Sequence, residues 1–150
     1  MKMRMNRSVR SLAAIVGLMA TLVGASACGE SPLNPSEYGI ESVDLVVGGG
    51  TEAETGRGAT VHYTVWLYDE SMPEGKGEQI EALQPPSTAF SFYLGYRQVI
   101  VGWDIGVPGM KSGGTRRLTI PPEYAYGDTV RGNIPANSTL VFDITLVGVY

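Results

Sequence analysis

Residues Val99–Gly127 read VIVGWDIGVPGMKSGGTRRLTIPPEYAYG. Trp103 sits among the aliphatic residues Val99, Ile100, Val101 and Ile105, and Pro108-Gly109 ends that run. The pattern predicts a short helix over Gln98–Val107, stopped by the Pro-Gly pair. Thr115–Ile120 follows the glycine turn and predicts a strand with Leu118 and Ile120 facing inward. Pro121-Pro122 then introduces Tyr124 and Tyr126. Together these residues can line one dry, aromatic, concave pocket. The stretch contains no nucleophile or metal-ligand cluster, so any chemistry there would rest on shape and desolvation.

Strand signals lie on both sides of this stretch. Thr60–Tyr68 alternates, with Val61, Tyr63, Val65 and Leu67 on one face and Thr60, His62, Thr64, Trp66 and Tyr68 on the other. Phe90–Leu94 places Phe90, Phe92 and Leu94 on one side. Thr139–Val149 is the strongest strand, with Leu140, Phe142, Ile144 and Leu146 sharing a face. Val43–Val47 is a short strand candidate, and Gln79–Ala82 another within the loop-like segment Asp69–Ala89. The expected architecture is α+β: five or six antiparallel strands whose apolar face is covered by one short helix.

The N-terminus reads differently. Lys2, Arg4, Arg7 and Arg10 precede the apolar run Leu12–Val23, and small residues lead to Cys28. This is the layout of a secretory signal over residues 1–27. Cys28 is the only cysteine, so an internal disulfide is impossible. The run Gly24-Ala25-Ser26-Ala27-Cys28 resembles the bacterial lipoprotein processing site, with Ser26 and Ala27 matching and Ala25 standing where Leu is usual. That resemblance implies lipidation of Cys28 and a membrane link through the lipid. An ordinary secreted protein cut after Ala27 is the alternative. Gly29 after the cysteine, rather than Asp, resembles outer-membrane sorting in a cell with two membranes. Residues 28–42, rich in Pro and Ser, read as a tether with a reach on the order of 20 Å. The folded domain is expected over residues 43–150, long enough to bury a core without staples.

The full chain of 150 residues has a net charge of −4. All 15 acidic residues follow Cys28, but only seven Lys and Arg do, giving −8 for the mature portion. Nucleic acid and electrostatic adhesion to anionic lipid are therefore disfavoured partners. His62 is the only histidine and lacks a ligand cluster around it in sequence, so a metal site is not expected. There is no Gly-x-Ser-x-Gly elbow, and Gly48-Gly49-Gly50 is not followed by the Gly-Lys-Ser/Thr of a phosphate loop. No cofactor is expected. Nothing signals obligate oligomerisation, and a monomer is the expectation.

Five segments, in order, carry a family resemblance: Val61-His62-Tyr63-Thr64, Phe90-Ser91-Phe92-Tyr93-Leu94-Gly95, Val99-Ile100-Val101-Gly102-Trp103, Pro122-Glu123-Tyr124-Ala125-Tyr126-Gly127 and Ile134 through Asp143. They resemble the FKBP-type peptidyl-prolyl cis-trans isomerases across essentially the whole mature domain. The resemblance implies an FKBP-like half-barrel sheet wrapped around one short helix, with a pocket between them. It implies Trp103 as the pocket floor and Tyr63, Phe90 and Phe142 as aromatic walls. Val99 and Ile100 would give an aliphatic rim and a backbone N–H for a ligand carbonyl. Tyr126 would offer a hydroxyl to the bound peptide, and Ile134 would lie at the mouth. Where many members have Phe-Asp, this chain has Ile80-Glu81. Ile80 keeps an apolar wall without the aromatic edge, and Glu81 carries its carboxylate about one methylene farther out. The loop from Gly127 to Ile134 is about one residue shorter than in small members and carries Val130-Arg131.

The implied activity is rotation of Xaa-Pro bonds in exported polypeptides, without covalent catalysis and without ATP. The ligands implied are proline-containing exported chains and the family's macrolide inhibitor. A client-binding chaperone or scaffold of the same fold, with little turnover, is the alternative, and Ile80-Glu81 are the residues that favour it.

Overall fold

The computed structural model describes residues 33–150. The expected signal segment, Cys28 and the first part of the expected tether lie outside the described residues. Six strands and one helix follow in order: β1 (Glu41–Val46), β2 (Gly58–Tyr68), β3 (Lys76–Leu83), β4 (Phe90–Tyr93), α1 (Val101–Gly106), β5 (Thr115–Ile120) and β6 (Leu140–Val149). All pairings between these strands are antiparallel, in the order β1-β5-β6-β2-β3. β2 is long enough to serve two partners on one edge: Gly58–Val61 pairs with β4, and Tyr63–Tyr68 with β3. The α+β half-barrel expected from the sequence is therefore present.

The period-two pattern explains the core. Leu140, Phe142, Ile144 and Leu146 of β6 are buried, as are Val61 and Val65 of β2 and Leu118 and Ile120 of β5. These side chains form the concave face that α1 covers. The opposite face carries Trp66, Asp143 and Arg117.

Ions tie that outer face together. Asp143 on β6 accepts from Arg117 Nε on β5 at 2.6 Å and from Lys76 Nζ of β3 at 2.7 Å. Glu74, in the loop between β2 and β3, contacts Arg117 at 2.9 Å and Lys76 at 3.2 Å. The Lys76 ammonium also lies 4.3 Å from the Trp66 ring centroid. This clasp holds the β2–β3 loop down on the sheet.

The helix is seated by two glycines. A Cβ on Gly102 would stand 2.5 Å from Ile120 Cγ2, and one on Gly106 would stand 2.6 Å from Leu118 Cδ1. Only hydrogen at these positions lets α1 lie this close to β5. The approach sets the depth of Trp103, which lies between them on the helix.

Several expectations shift in detail. The helix is shorter than Gln98–Val107, because Ile100 is extended (φ −59, ψ 146) and Arg97 has φ 55. Instead, Asp104 accepts from the Gly95 and Arg97 amides at 2.8 and 3.1 Å and fixes the preceding turn to the helix. The β3 strand is longer than Gln79–Ala82, because the far half of β2 provides a partner along its length. The packed domain also begins before Val43. Pro35–Tyr38 forms a 3-10 turn capped by Asn34, the Tyr38 ring stands edge-on to Tyr124 at 5.6 Å, and Ile40 is buried in the core. A buried aliphatic and a packed ring remove this part of the segment from the tether.

Candidate active site

Between α1 and the sheet opens a cleft of about 200 Å³. Every wall residue selected from the sequence lines it: Tyr63, Ile80, Glu81, Phe90, Val99, Ile100, Trp103, Tyr126, Ile134 and Phe142. They come from β2, β3, β4, the turn before α1, α1 itself, the loop after β5, and β6. Val65 and Gln98 complete the lining and were not anticipated. Val65 was legible as a site residue, since it follows Tyr63 by two on the same strand face. Gln98 had no such signal. Its side-chain carbonyl accepts from the Tyr93 amide at 2.9 Å, joining β4 to the rim of the cleft.

Trp103 is the floor. Its ring meets Tyr63 at 5.2 Å, Phe142 at 5.4 Å and Phe90 at 6.3 Å, all near perpendicular. Phe92 backs it from the core at 5.5 Å. Such edge-to-face contacts are favourable for aromatic quadrupoles and leave ring faces as walls. The indole Nε1 is buried and has no hydrogen-bond partner among the described residues. Phe90 illustrates a split along one strand face: Phe92 and Leu94 are sunk in the core, while Phe90 is 38% exposed at the cleft edge.

Polar groups lie around this floor. The Ile100 amide donates to no protein carbonyl among the described residues, so it is available to a ligand carbonyl. Tyr126 is placed by the Pro121-Pro122 turn: Ala125 and Gly127 both donate to the Pro122 carbonyl, at 3.0 and 2.7 Å. Gly127 takes φ 58, which a side chain would disfavour, and the chain reverses there. Asn137 donates to the Gly127 carbonyl at 2.7 Å and closes the loop. Burial, then the charge and hydrogen bond of Glu81, then Tyr126 push the Tyr63 hydroxyl up to about 12. The phenol therefore stays a neutral donor across physiological pH. Glu81 is thus placed on the cleft wall beside Tyr63, in spite of its exposed position on β3.

Among the described residues no group of three His, Cys, Asp or Glu side chains could hold a metal ion. The cleft offers apolar walls, a tryptophan floor, two tyrosine hydroxyls and one free amide. It can desolvate a small planar group and hydrogen-bond its carbonyl, but it presents no nucleophile.

Comparisons with known proteins agree with this geometry. The family model described as FKBP-type peptidyl-prolyl cis-trans isomerase matches residues 49–147. FK506-binding protein 1 of Aspergillus oryzae is 38% identical over 112 residues, covering 73% of this chain and 97% of that protein. An FK506-binding protein of Neisseria meningitidis serogroup B is 42% identical over 113 residues, covering 75% and 97% respectively. In structure, the chain is similar to AtFKBP13, with a TM-score of 0.62 and 36% identity over 78% of this chain and 96% of that one. It is also similar to FkpA from Escherichia coli, with a TM-score of 0.63 and 33% identity, covering 80% of this chain and 52% of that one.

Proposed function

Because this chain belongs to the FKBP-type peptidyl-prolyl cis-trans isomerase family, we propose that its cleft accelerates Xaa-Pro rotation in exported polypeptides while a lipid on Cys28 holds the protein at a membrane. The observation that carries the catalytic reading is the Trp103 floor, walled by Tyr63, Phe90 and Phe142 and flanked by the free Ile100 amide.

The physical case follows from amide resonance. Rotation about the C–N bond has a barrier of about 18–20 kcal/mol because resonance gives it double-bond character. The planar amide is the more polar, charge-separated form, and water stabilises it. The twisted transition state has lost that resonance. A dry aromatic cleft therefore disfavours the planar ground state more than the twisted one, and only such a difference accelerates the step. A thousandfold acceleration requires about 4 kcal/mol. The Ile100 amide would hold one carbonyl of the peptide and the Tyr126 hydroxyl another, fixing the chain while the prolyl bond turns. Uncatalysed isomerisation takes tens to hundreds of seconds and can limit folding, so an exported chain gains from this activity without any ATP.

The relatives' names give FK506 binding to those proteins, and we extend macrolide binding to this cleft on the strength of its shared walls. The mature protein would act as a monomer outside the cytoplasm, at an outer membrane where the cell has one. Lipidation rests on the sequence run ending in Cys28. Cys28→Ser should release the protein from the membrane fraction, and retention there would exclude lipidation as the anchor.

The deciding experiment is prolyl-peptide isomerisation measured by NMR exchange. The expected outcome is a rate far above background that the macrolide abolishes. Macrolide and peptide binding without acceleration would instead favour a client-holding module, the outcome to which Ile80 in place of an aromatic edge would contribute.

A further inference from the structure

We propose that Arg131 reads charge on the bound polypeptide, so that the cleft favours clients carrying a carboxylate beside the proline. This rests on the cleft being the prolyl-peptide site and adds a specificity residue to it.

Arg131 is rooted at the cleft mouth by backbone geometry. Its amide donates to the Ile134 carbonyl at 3.0 Å, and the Ile134 amide donates back at 2.8 Å. Ile134 lines the cleft. The Arg131 guanidinium carbon lies 5.6 Å from the centroid of the Tyr126 ring, another wall. A cation over a tyrosine face is held by the ring quadrupole without losing its charge.

The arginines of the sheet are already engaged. Arg116 pairs with Asp44, and Arg117 with Asp143 and Glu74. Arg131 has no carboxylate partner among the described residues. Its charge is exposed at the mouth, where a ligand would pass.

The wall formed by Tyr63 and β3 carries the opposite sign at Glu81. The rim is therefore polarised, positive beside Tyr126 and negative beside Tyr63. A peptide entering the cleft meets both signs at its rim. The negative net charge of the chain acts against acidic clients at long range, but salt screens that field within about 8–10 Å. At contact distance Arg131 decides.

The effect should be that of an exposed ion pair, about twofold to fivefold. The test uses the full chain in non-ionic detergent and proline peptides that differ only in Glu, Gln or Lys immediately before or after the proline. Isomerisation is read by NMR exchange, and binding by tryptophan fluorescence. Glu peptides should exceed Lys peptides about twofold to fivefold in kcat/KM and in affinity at one or both positions, with the gap closing in about 1 M salt. Arg131→Lys should preserve the order, Arg131→Gln should level it and Arg131→Glu should reverse it. An order that is the same in the parent and in Arg131→Glu, or no order at all, overturns the proposal. If no peptide is turned over but affinities follow the charge at residue 131, charge reading stands and the isomerase reading falls. If peptides neither bind nor turn over, both fall.

Discussion

Replacing Gly102 by alanine should damage catalysis more than it damages the fold. The added Cβ would lie 2.5, 2.8 and 3.1 Å from Ile120 Cγ2, Cδ1 and Cγ1. Carbon pairs settle at about 3.5–4.0 Å, so the contact is short by roughly 1 Å. Ile120 is fully buried and fixed opposite Leu140, and cannot swing aside. The helix must lift instead. Overpacking of this kind costs about 1–3 kcal/mol, and alanine returns about 0.8–1.0 kcal/mol through its better helix propensity. The net expectation is a loss of about 0–2 kcal/mol in urea unfolding. Trp103 is the next residue, so the cleft floor moves with the helix, and a displacement of about 1 Å can cost about a hundredfold in rate. Prolyl-peptide kcat/KM should therefore fall well beyond what the lost stability explains. Ile120→Ala removes all three crowded atoms and by itself should cost about 2–5 kcal/mol. The double variant should be less damaged than the sum of the two, by about 0.5–3 kcal/mol. A Gly102→Ala protein of unchanged stability and unchanged kcat/KM would refute the reasoning, since α1 would then have slack against β5.

Three further outcomes can be checked. Asp143→Asn should destabilise the domain by about 1–3 kcal/mol, because Arg117 and Lys76 lose their shared acceptor. Burial pushes the Asp143 carboxyl up, but the hydrogen bonds of Arg117 and Lys76 outweigh it and hold it below 3.8. Its contribution is therefore present above that value and is lost as pH falls through the lower folded-state value, so the variant's acid limb in a pH series of unfolding should be flatter. Glu81→Gln should bring the Tyr63 hydroxyl down from about 12 toward 10.0 in an ultraviolet titration, stopping short because burial remains. In the parent, a Tyr63 pKa raised on folding makes stability fall as pH climbs from 10 toward 12; the variant should narrow that window. Ile40→Ala should cost about 2–5 kcal/mol of unfolding free energy, whereas an unaffected protein would return residue 40 to the tether.

The strands and the cleft differ in how far the sequence reveals them. The inward faces of β2 and β6 show directly as alternation, because a strand places side chains on alternate sides and water sorts them. Trp103, Tyr63, Phe90, Tyr126 and Phe142 could be chosen because large aromatics stand at those positions in a recurring order. The boundary near Val43 could not be placed correctly. Ile40 is a single aliphatic in a polar segment, and no local period marks it as buried. Likewise, nothing in Lys76 announces a partner 67 residues away in Asp143.

By itself, the sequence determined the α+β class and the apolar faces through local periodicity, and the residues of the pocket through its resemblance to a known family. It also carried the run up to Cys28 that is expected to act as a signal segment, which lies outside the described residues. Tertiary structure alone decided how deep the floor lies, through glycines at 102 and 106 that meet Ile120 and Leu118 of another strand. It decided that Glu81 raises the Tyr63 pKa, that Glu74 and Lys76 clasp the outer sheet, and that Arg131 stands over Tyr126 with no carboxylate partner among the described residues. Each of these depends on distances of a few ångströms between groups remote in the chain, and such distances exist only once the strands have paired and the helix has been seated.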